Sequence, residues 1–416
     1  MTSAVERANQ RNALVAGFLG WTLDAFDFFI LTFVLADVAR DFGLYRADAA
    51  GHMVPDTAAI ALTLTASLMT RPIGAFLFGL MADRYGRRLP LMLDIVFYSI
   101  IEFMSGLAPS YTVFFILRLL YGVGMGGEWG VGASLTMESV PARWRGLLSG
   151  LLQEGYACGN LLASLVYFTV FPAWGWRAMF FIGGLPALLS LFVRAKVKET
   201  EAWRRSRTDW ASYRREVARH FPLFAYLVLL MAMMNFISHG TQDLYPTFLK
   251  QQRGFGVHLT AWITALSMVG AIAGGLVFGL LSDRIGRRRA MVMAVLLALV
   301  LVPLWVLAPA IALVALGAFL MQFMVQGAWG VIPAHINELS PDQLRGFFPG
   351  FAYQLGVLIA SSIVYVEALL AQHFSYSFSM GILAAAVLLI GAVVIGAGPE
   401  AHGIAFGRVE ASAGSK

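Results

Sequence analysis

Within the segment NFISHGTQDLYPT, residues 235–247, four polar side chains are spaced for shared chemistry. Asn235, His239, Gln242 and Asp243 stand at i, i+4, i+7 and i+8, one face of a helix, and Ser238 and Thr241 widen the stripe. Imidazole titrates in the physiological range, a carboxylate one turn away is a proton partner, and two amides are neutral hydrogen-bond ligands. Such a stripe suits proton uptake and the holding of a small polar solute. Pro246 interrupts the helix just beyond it, freeing backbone groups that a cavity or a solute would satisfy.

Further charges fall inside long apolar runs: Asp24, Asp27, Arg71, Asp94, Glu102, Arg118, Glu128, Glu154, Asp243 and Glu367, eight carboxylates against two guanidinium groups. At bilayer depth each would cost ~2.5–3.5 kcal/mol. Two arginines cannot neutralise eight acids, so some acids must be protonated, wetted by a cavity or near an interface, and a buried carboxyl protonated part of the time is raw material for proton coupling. Asp27, Glu128, Glu154, His239 and Asp243 are the proton-coupling candidates, and Asp24 is open between function and structure. Asp94, Glu102 and Arg118 are expected to form fixed ion pairs near helix ends, and Glu367 to lie at an interface. Arg71 precedes Pro72, and its planar fork matches a carboxylate. It either holds a substrate or bridges to Asp27 or Glu128. The remaining histidines fall in predicted loops or tail, or, for His335 and His373, at span ends.

The elements that must position these groups follow from bulk properties. The 416 residues are 59% hydrophobic and 13% charged, with mean hydropathy +0.72, against about 25% charged in soluble chains. Too few polar side chains exist to coat a globule, so the apolar excess must face lipid. With about 20 apolar residues per crossing, spans are predicted near 13–38, 57–82, 89–108, 111–137, 146–170, 176–195, 221–248, 259–281, 290–308, 310–336, 346–371 and 376–397. With the N-terminus inside, 23 of the 30 Lys and Arg residues lie inside and five outside, the remaining two being Arg71 and Arg118 within spans. The last two inside are Arg408 and Lys416. This bias predicts both termini cytoplasmic in a cell inner membrane. Basic residues in short clusters between apolar runs argue against a nucleic-acid partner. The single Cys158 excludes an internal disulfide and thiolate metal clusters; no metal or other cofactor is expected. The first apolar run is too long for a cleavable signal.

The chain repeats itself at a constant offset of 200 residues. GLMADRYGRR at Gly79–Arg88 returns as GLLSDRIGRR at Gly279–Arg288, Glu138, Pro141, Arg145 and Gly146 return as Glu338, Pro341, Arg345 and Gly346, and Trp129-Gly130 returns as Trp329-Gly330. Two six-helix halves are therefore expected, 1–195 and 221–416, joined by a basic cytoplasmic linker at 196–220, enclosing a site near the bilayer midplane. The duplicated loop resembles the signature of the major facilitator superfamily, and the resemblance runs over essentially the whole chain. It implies an all-α integral membrane fold of twelve transmembrane helices in two pseudo-symmetric bundles. Asp83 and Asp283 could accept from Arg side chains or a helix N-terminus across the cytoplasmic face, so Asp83, Arg87, Arg88, Asp283, Arg287 and Arg288 read as a structural latch with a gating share.

The stripe itself resembles N-x-x-[S/T]-H-x-[S/T]-Q-D-x-x-x-T, the seventh-span motif of Jen-type lactate and pyruvate proton symporters, within the sialate:proton symporter family. All seven specified positions match: Asn235, Ser238, His239, Thr241, Gln242, Asp243 and Thr247. Arg71-Pro72-Ile-Gly74, Gly126-Gly-Glu128-Trp129-Gly130, Gln153-Glu154-Gly155-Tyr156 and Tyr353-Gln354-Leu-Gly356 fit that family too. The resemblance implies substrate binding by Arg71, Tyr156, Asn235, His239 and Gln354, with His239 and Asp243 in proton coupling; Gln242, on the same helical face, is a further binding candidate. The expected function is proton-coupled symport of a small monocarboxylate by alternating access, by a functional monomer in the lipid bilayer, with sialic acid or another acidic sugar as the rival substrate. An enzyme is disfavoured by the absence of H-E-x-x-H and G-x-S-x-G patterns, and a channel by the duplicated, mixed-charge interior.

Overall fold

The structure is a computed structural model and describes residues 4–47, 52–206 and 210–407. Both chain ends, and with them Arg408 and Lys416, lie outside the described residues, as does Arg207 of the linker.

α1 (Ala4–Phe33) breaks at Val34 and continues as α2 (Leu35–Asp41). A two-stranded antiparallel hairpin follows, β1 (Tyr45–Ala47) and β2 (Met53–Pro55), with Tyr45 opposite Pro55. Next come α3 (Thr57–Tyr85), α4 (Arg88–Gly106), α5 (Tyr111–Ser139), α6 (Arg145–Gln153), α7 (Gly155–Ile182) and α8 (Ala187–Lys196). Two short helices, α9 (Glu201–Ser206) and α10 (Trp210–Arg219), lead to α11 (Phe221–Gln242), α12 (Tyr245–Gln251) and α13 (Val257–Ile285). The chain continues as α14 (Arg287–Leu307), α15 (Ile311–Leu339), α16 (Phe348–Ala360), α17 (Ile363–His373) and α18 (Tyr376–Ala397).

Among the described residues, nine helical stretches are long and apolar enough to cross a bilayer. Three more passes complete the twelve. One is α5, which carries Arg118 and Glu128 inside its apolar run. Another is 176–196, cut off from the rest of α7 where Gly175 takes φ 71°, a conformation that L side chains rarely adopt. The last is 348–373, broken at Ser361 and Ser362 between α16 and α17.

The 200-residue repeat is visible in the packing. Leu91, Ile95, Phe114, Tyr121 and Met125 belong to one buried cluster, and Met291, Val295, Val314, Met321 and Val325 occupy the matching places in another. Lipid gives apolar helices little reason to associate, so close backbone approach must supply the contact. A Cβ at Gly74 would fall 1.7 Å from the Val123 carbonyl oxygen, where α3 crosses α5; a Cβ at Gly274 would fall 1.9 Å from that of Phe323, where α13 crosses α15.

On the side of the repeated loops the two halves are tied together. Asp83 Oδ1 accepts from the Gly346 amide at 2.6 Å and pairs with Arg87 at 2.8 Å. Asp283 accepts from the amides of Gly146 and Leu147 at 2.8 and 3.0 Å and pairs with Arg287 at 2.7 Å. Arg87 also meets Glu138 at 2.9 Å, Arg287 meets Glu338 at 2.9 Å, and Arg145 reaches Glu338 from the other half at 2.8 Å. Arg88 and Arg288 take no part in these crossings: their amides donate to Glu199 and Glu400, and their guanidinium groups to the carbonyls of Arg194 and Gly398. The linker joins in through α10, where the Tyr213 hydroxyl donates to Asp83 Oδ2 at 2.9 Å. Burial, reinforced by the Asp83 carboxylate, pushes the Tyr213 phenol up, which keeps it a donor.

Candidate functional site

A cavity of about 330 Å³ lies between the halves. It occupies the half of the spans away from the tied loops: its α13 wall is Thr264, Met268 and Ala271, whereas Asp283 stands at the far end of the same helix. The α11 stripe supplies one wall, with Asn235, Ser238, His239, Gln242 and Asp243 all facing in. His239 Nδ1 and Asp243 Oδ2 are 3.0 Å apart, their side chains 41% and 37% exposed. Helix α11 stops at Gln242 and restarts at Tyr245 with Pro246 in the first turn, so Asp243 sits on the break. Gln242 Nε2 donates to Ser238 Oγ at 3.1 Å, Gln326 Nε2 donates to the same hydroxyl at 3.3 Å, and Asn235 Nδ2 donates to the Met231 carbonyl at 2.8 Å. Among the described residues no partner meets the Asn235 and Gln242 amide oxygens or the imidazole Nε2.

The opposite wall comes from the break between α6 and α7. Gln153, Glu154, Tyr156 and Asn160 face the cavity there. Glu154 is buried, and its Oε1 has no hydrogen-bond partner. That oxygen would lie 2.1 Å from a Cβ on Gly275, so the carboxyl is wedged against α13 of the other half. The Tyr156 ring packs on Trp21 at 5.4 Å and Phe29 at 5.1 Å, leaving its hydroxyl end as the polar handle. The cavity base is aromatic: Tyr353 of α16 lies 4.5 Å from Trp129 and 5.9 Å from Trp329, ring centre to ring centre.

Six of the candidate residues thus share one chamber: Glu154, Tyr156, Asn235, His239, Gln242 and Asp243. Arg71 and Gln354 were expected with them and do not line it. Arg71 is 4% exposed and lies beneath the base, its guanidinium 6.0 Å from the Tyr353 ring centre, with Nε and Nη2 lacking hydrogen-bond partners. Gln354 is buried and its amide reaches only the Gly126 carbonyl, at 3.5 Å. The Tyr353 ring that Arg71 lies against itself lines the cavity. Asp27 and Glu128 also lie away from the chamber, inside the first half. Both are wholly buried, and their carboxyl oxygens have no hydrogen-bond partners among the described residues. Glu128 Oε1 is pressed against Gly20 of α1, and Asp27 Oδ1 against Gly183 beside Glu102.

Two expectations about the other charges need correction. Of Asp94, Glu102 and Arg118, only the last two pair, at 2.5 Å, with Ser105 as a second acceptor for Arg118 at 2.6 Å. Asp94 is buried two turns away on α4, beyond the reach of that guanidinium, and is unpartnered. Glu367 is not interfacial but wholly buried, because α11 and α18 close over α17. His335, near the end of α15 as expected, is wholly buried. Asn160 and Gln326 are among the wall residues that were missed. Asn160 is one turn past Tyr156 and Gln326 one turn before Trp329, so helical spacing from known neighbours would have found both.

The sequence profile of the sugar (and other) transporter family matches residues 12–220 and again 225–400. The chain belongs to this family, within the major facilitator superfamily. It is 32% identical to the "Probable 4-methylmuconolactone transporter" of Cupriavidus pinatubonensis over 96% of this chain and 93% of that protein. It is 28% identical to the "Carboxylic acid transporter protein homolog" of Saccharomyces cerevisiae over 87% of this chain and 62% of that protein. Its fold matches the major facilitator proton:xylose symporter XylE with TM-score 0.76, at 17% identity over 97% of this chain and 98% of that one. As a member of this family the chain is a multi-pass membrane transporter.

Proposed function

We propose that this transporter is a proton-coupled symporter of a small organic acid anion, with a short monocarboxylate such as lactate or pyruvate as substrate. It works as a monomer in the cell inner membrane, both termini in the cytoplasm, with bundles 1–195 and 221–416 rocking about the shared cavity and 196–220 as linker. The observation that carries this reading is the His239–Asp243 pair, 3.0 Å apart and open to a chamber that both halves line. The relative named as a carboxylic acid transporter supports an acid substrate. The chamber's volume of about 330 Å³ is at the small end of ligand sites, which favours a short acid over an acidic sugar.

The tied loops on one side and the cavity on the other correspond to the outward-facing state. An anion entering a negative cell alone climbs ~2.3 kcal/mol per 100 mV, and one accompanying proton removes that term. The proton loads on the Asp243–His239 pair or on Glu154. Asp27 and Glu128 stand behind them as a reserve, since a buried carboxyl without a donor is more stable neutral than charged. The anion is held by Asn235, Gln242, His239 and Tyr156. Displacement of the Tyr353 ring brings Arg71 and Gln354 to the carboxylate, and opening of the Asp83 and Asp283 contacts then releases both solutes inward.

The test is uptake of labelled lactate into proteoliposomes under an inward proton gradient, with pyruvate, acetate and sialic acid as competitors. Gradient-driven uptake displaced by pyruvate supports the reading. Uptake that ignores protons and follows sodium refutes the coupling, and displacement by sialic acid alone moves the substrate to the acidic sugars.

A further inference from the structure

Glu367 has no place in the cavity chemistry, yet its setting is unusual. Its side chain is wholly buried and neither carboxyl oxygen has a hydrogen-bond partner among the described residues. It faces Gly240 of α11: a Cβ there would lie 3.8 Å from Glu367 Oε1 and 3.6 Å from Ile363, one turn earlier on α17. Gly240 directly follows His239 and precedes Asp243 by three residues, so the carboxyl stands behind the turn that carries the cavity pair. The absent side chain leaves a gap between them.

The helices packed on α17 are α11 and α18. From α11 the titratable groups are His239 and Asp243, and the Asp243 charge acts on Glu367. α18 contains no Asp, Glu, His, Lys or Arg, and α17 itself adds His373 in its last turn. No guanidinium or ammonium group is among them. A charged carboxylate so placed lacks both a counter-ion and a donor, whereas the neutral acid lacks only a hydrogen bond.

We propose that Glu367 is a second proton-binding site, coupled through the gap at Gly240 to Asp243 and His239. It builds on the transport reading above. In the state described here Glu367 holds a proton, so Asp243 ionises without a like charge behind it. When α17 shifts, which the break at Ser361 and Ser362 permits independently of α16, Glu367 moves toward water and releases the proton to it, becoming a carboxylate. The two carboxylates then repel across Gly240. The inward and outward packings of α11 on α17 therefore differ by one proton.

Glu367→Gln keeps the shape and fixes the neutral form. In proteoliposomes, counterflow of labelled lactate at equal pH should stay at the wild-type level, while the inside-to-outside ratio reached under a proton gradient should fall to unity. Accumulation to the wild-type ratio with an unchanged pH profile would overturn the proposal. Should the glutamine variant fail to reach the membrane, Glu367→Asp should accumulate lactate with a displaced pH profile, and an undisplaced profile would overturn it. Infrared difference spectra of the purified protein read the site without any substrate. A protonated-carboxyl band that Glu367→Gln removes, or Glu367→Asp displaces, is expected; spectra identical to wild type in the variant that folds would overturn the proposal even if lactate proves not to be the substrate.

Discussion

His239 and Asp243 face each other across one turn of α11, Nδ1 to Oδ2 at 3.0 Å, on a wall where each side chain remains more than a third exposed. The pair is built from the helix's own periodicity and then left open by the interruption at Pro246. A net contribution of about 1.5–3 kcal/mol is typical for a hydrogen bond to a charged group, and 1.4 kcal/mol is a factor of ten. Asp243→Asn should therefore lower proton-driven lactate uptake by roughly 10- to 100-fold, and His239→Ala should change the pH profile of uptake rather than its maximum. Initial rates across a pH series check both, and wild-type profiles in both variants would mean that the pair is not in the path.

Two nitrogens of the Arg71 guanidinium, which lies beneath the Tyr353 ring, have no partner among the described residues. Lysine cannot reproduce a two-point grip on a carboxylate. Arg71→Lys should reduce lactate uptake by about tenfold or more, on the scale of one charged hydrogen bond, with thermal stability changed little. Equal losses of stability and transport would make Arg71 a structural residue.

The contacts of Asp83 with the Gly346 amide and of Asp283 with the Gly146 and Leu147 amides hold the loop side shut. Asp83→Asn and Asp283→Asn should each weaken that closure by about 1.5–3 kcal/mol. Spin-label distances between the halves on the loop side should lengthen, and the two variants together should lengthen them further. Unchanged distances in the double variant would limit these residues to folding.

Within the first half, Arg118 has Glu102 as its one carboxylate partner among the described residues. Removing one member of a buried pair costs about 3–5 kcal/mol, and replacing both with apolar residues is often neutral or better. Glu102→Leu should therefore destabilise the purified protein strongly, and Glu102→Leu with Arg118→Leu should recover most of the loss in a thermal melt. A double variant as unstable as the single one would assign the pair a role beyond charge balance.

The glycine crossings give a contrast in stability. Gly74→Ala would place a methyl 1.7 Å from a backbone oxygen, whereas Gly240→Ala meets nothing closer than 3.6 Å. The first should cost at least the ~1–3 kcal/mol typical of overpacking and the second little, read as the difference in melting temperature.

Much of this arrangement was readable from the chain. The 200-residue offset paired Asp83 with Asp283 and Arg87 with Arg287, and their contacts are built alike because equal sequence makes equal helix ends. The i, i+4, i+7, i+8 spacing put Asn235, His239, Gln242 and Asp243 on one wall, since helical periodicity is local information. Arg71 was harder, because the Tyr353 ring it lies against is packed on Trp129 and Trp329, far apart in sequence. Glu367 was misjudged for a related reason. Distance from a helix end says nothing about which neighbours close over a side chain, and α11 and α18 close over this one.

The most direct measurement is the internal pH of proteoliposomes when lactate is added outside with no imposed gradient, compared with protein-free vesicles. The expected result is acidification of the lumen in step with lactate entry, abolished by Asp243→Asn. Lactate entry through the protein with no proton accompanying it, or acidification that Asp243→Asn leaves intact, would contradict proton-coupled transport through this cavity.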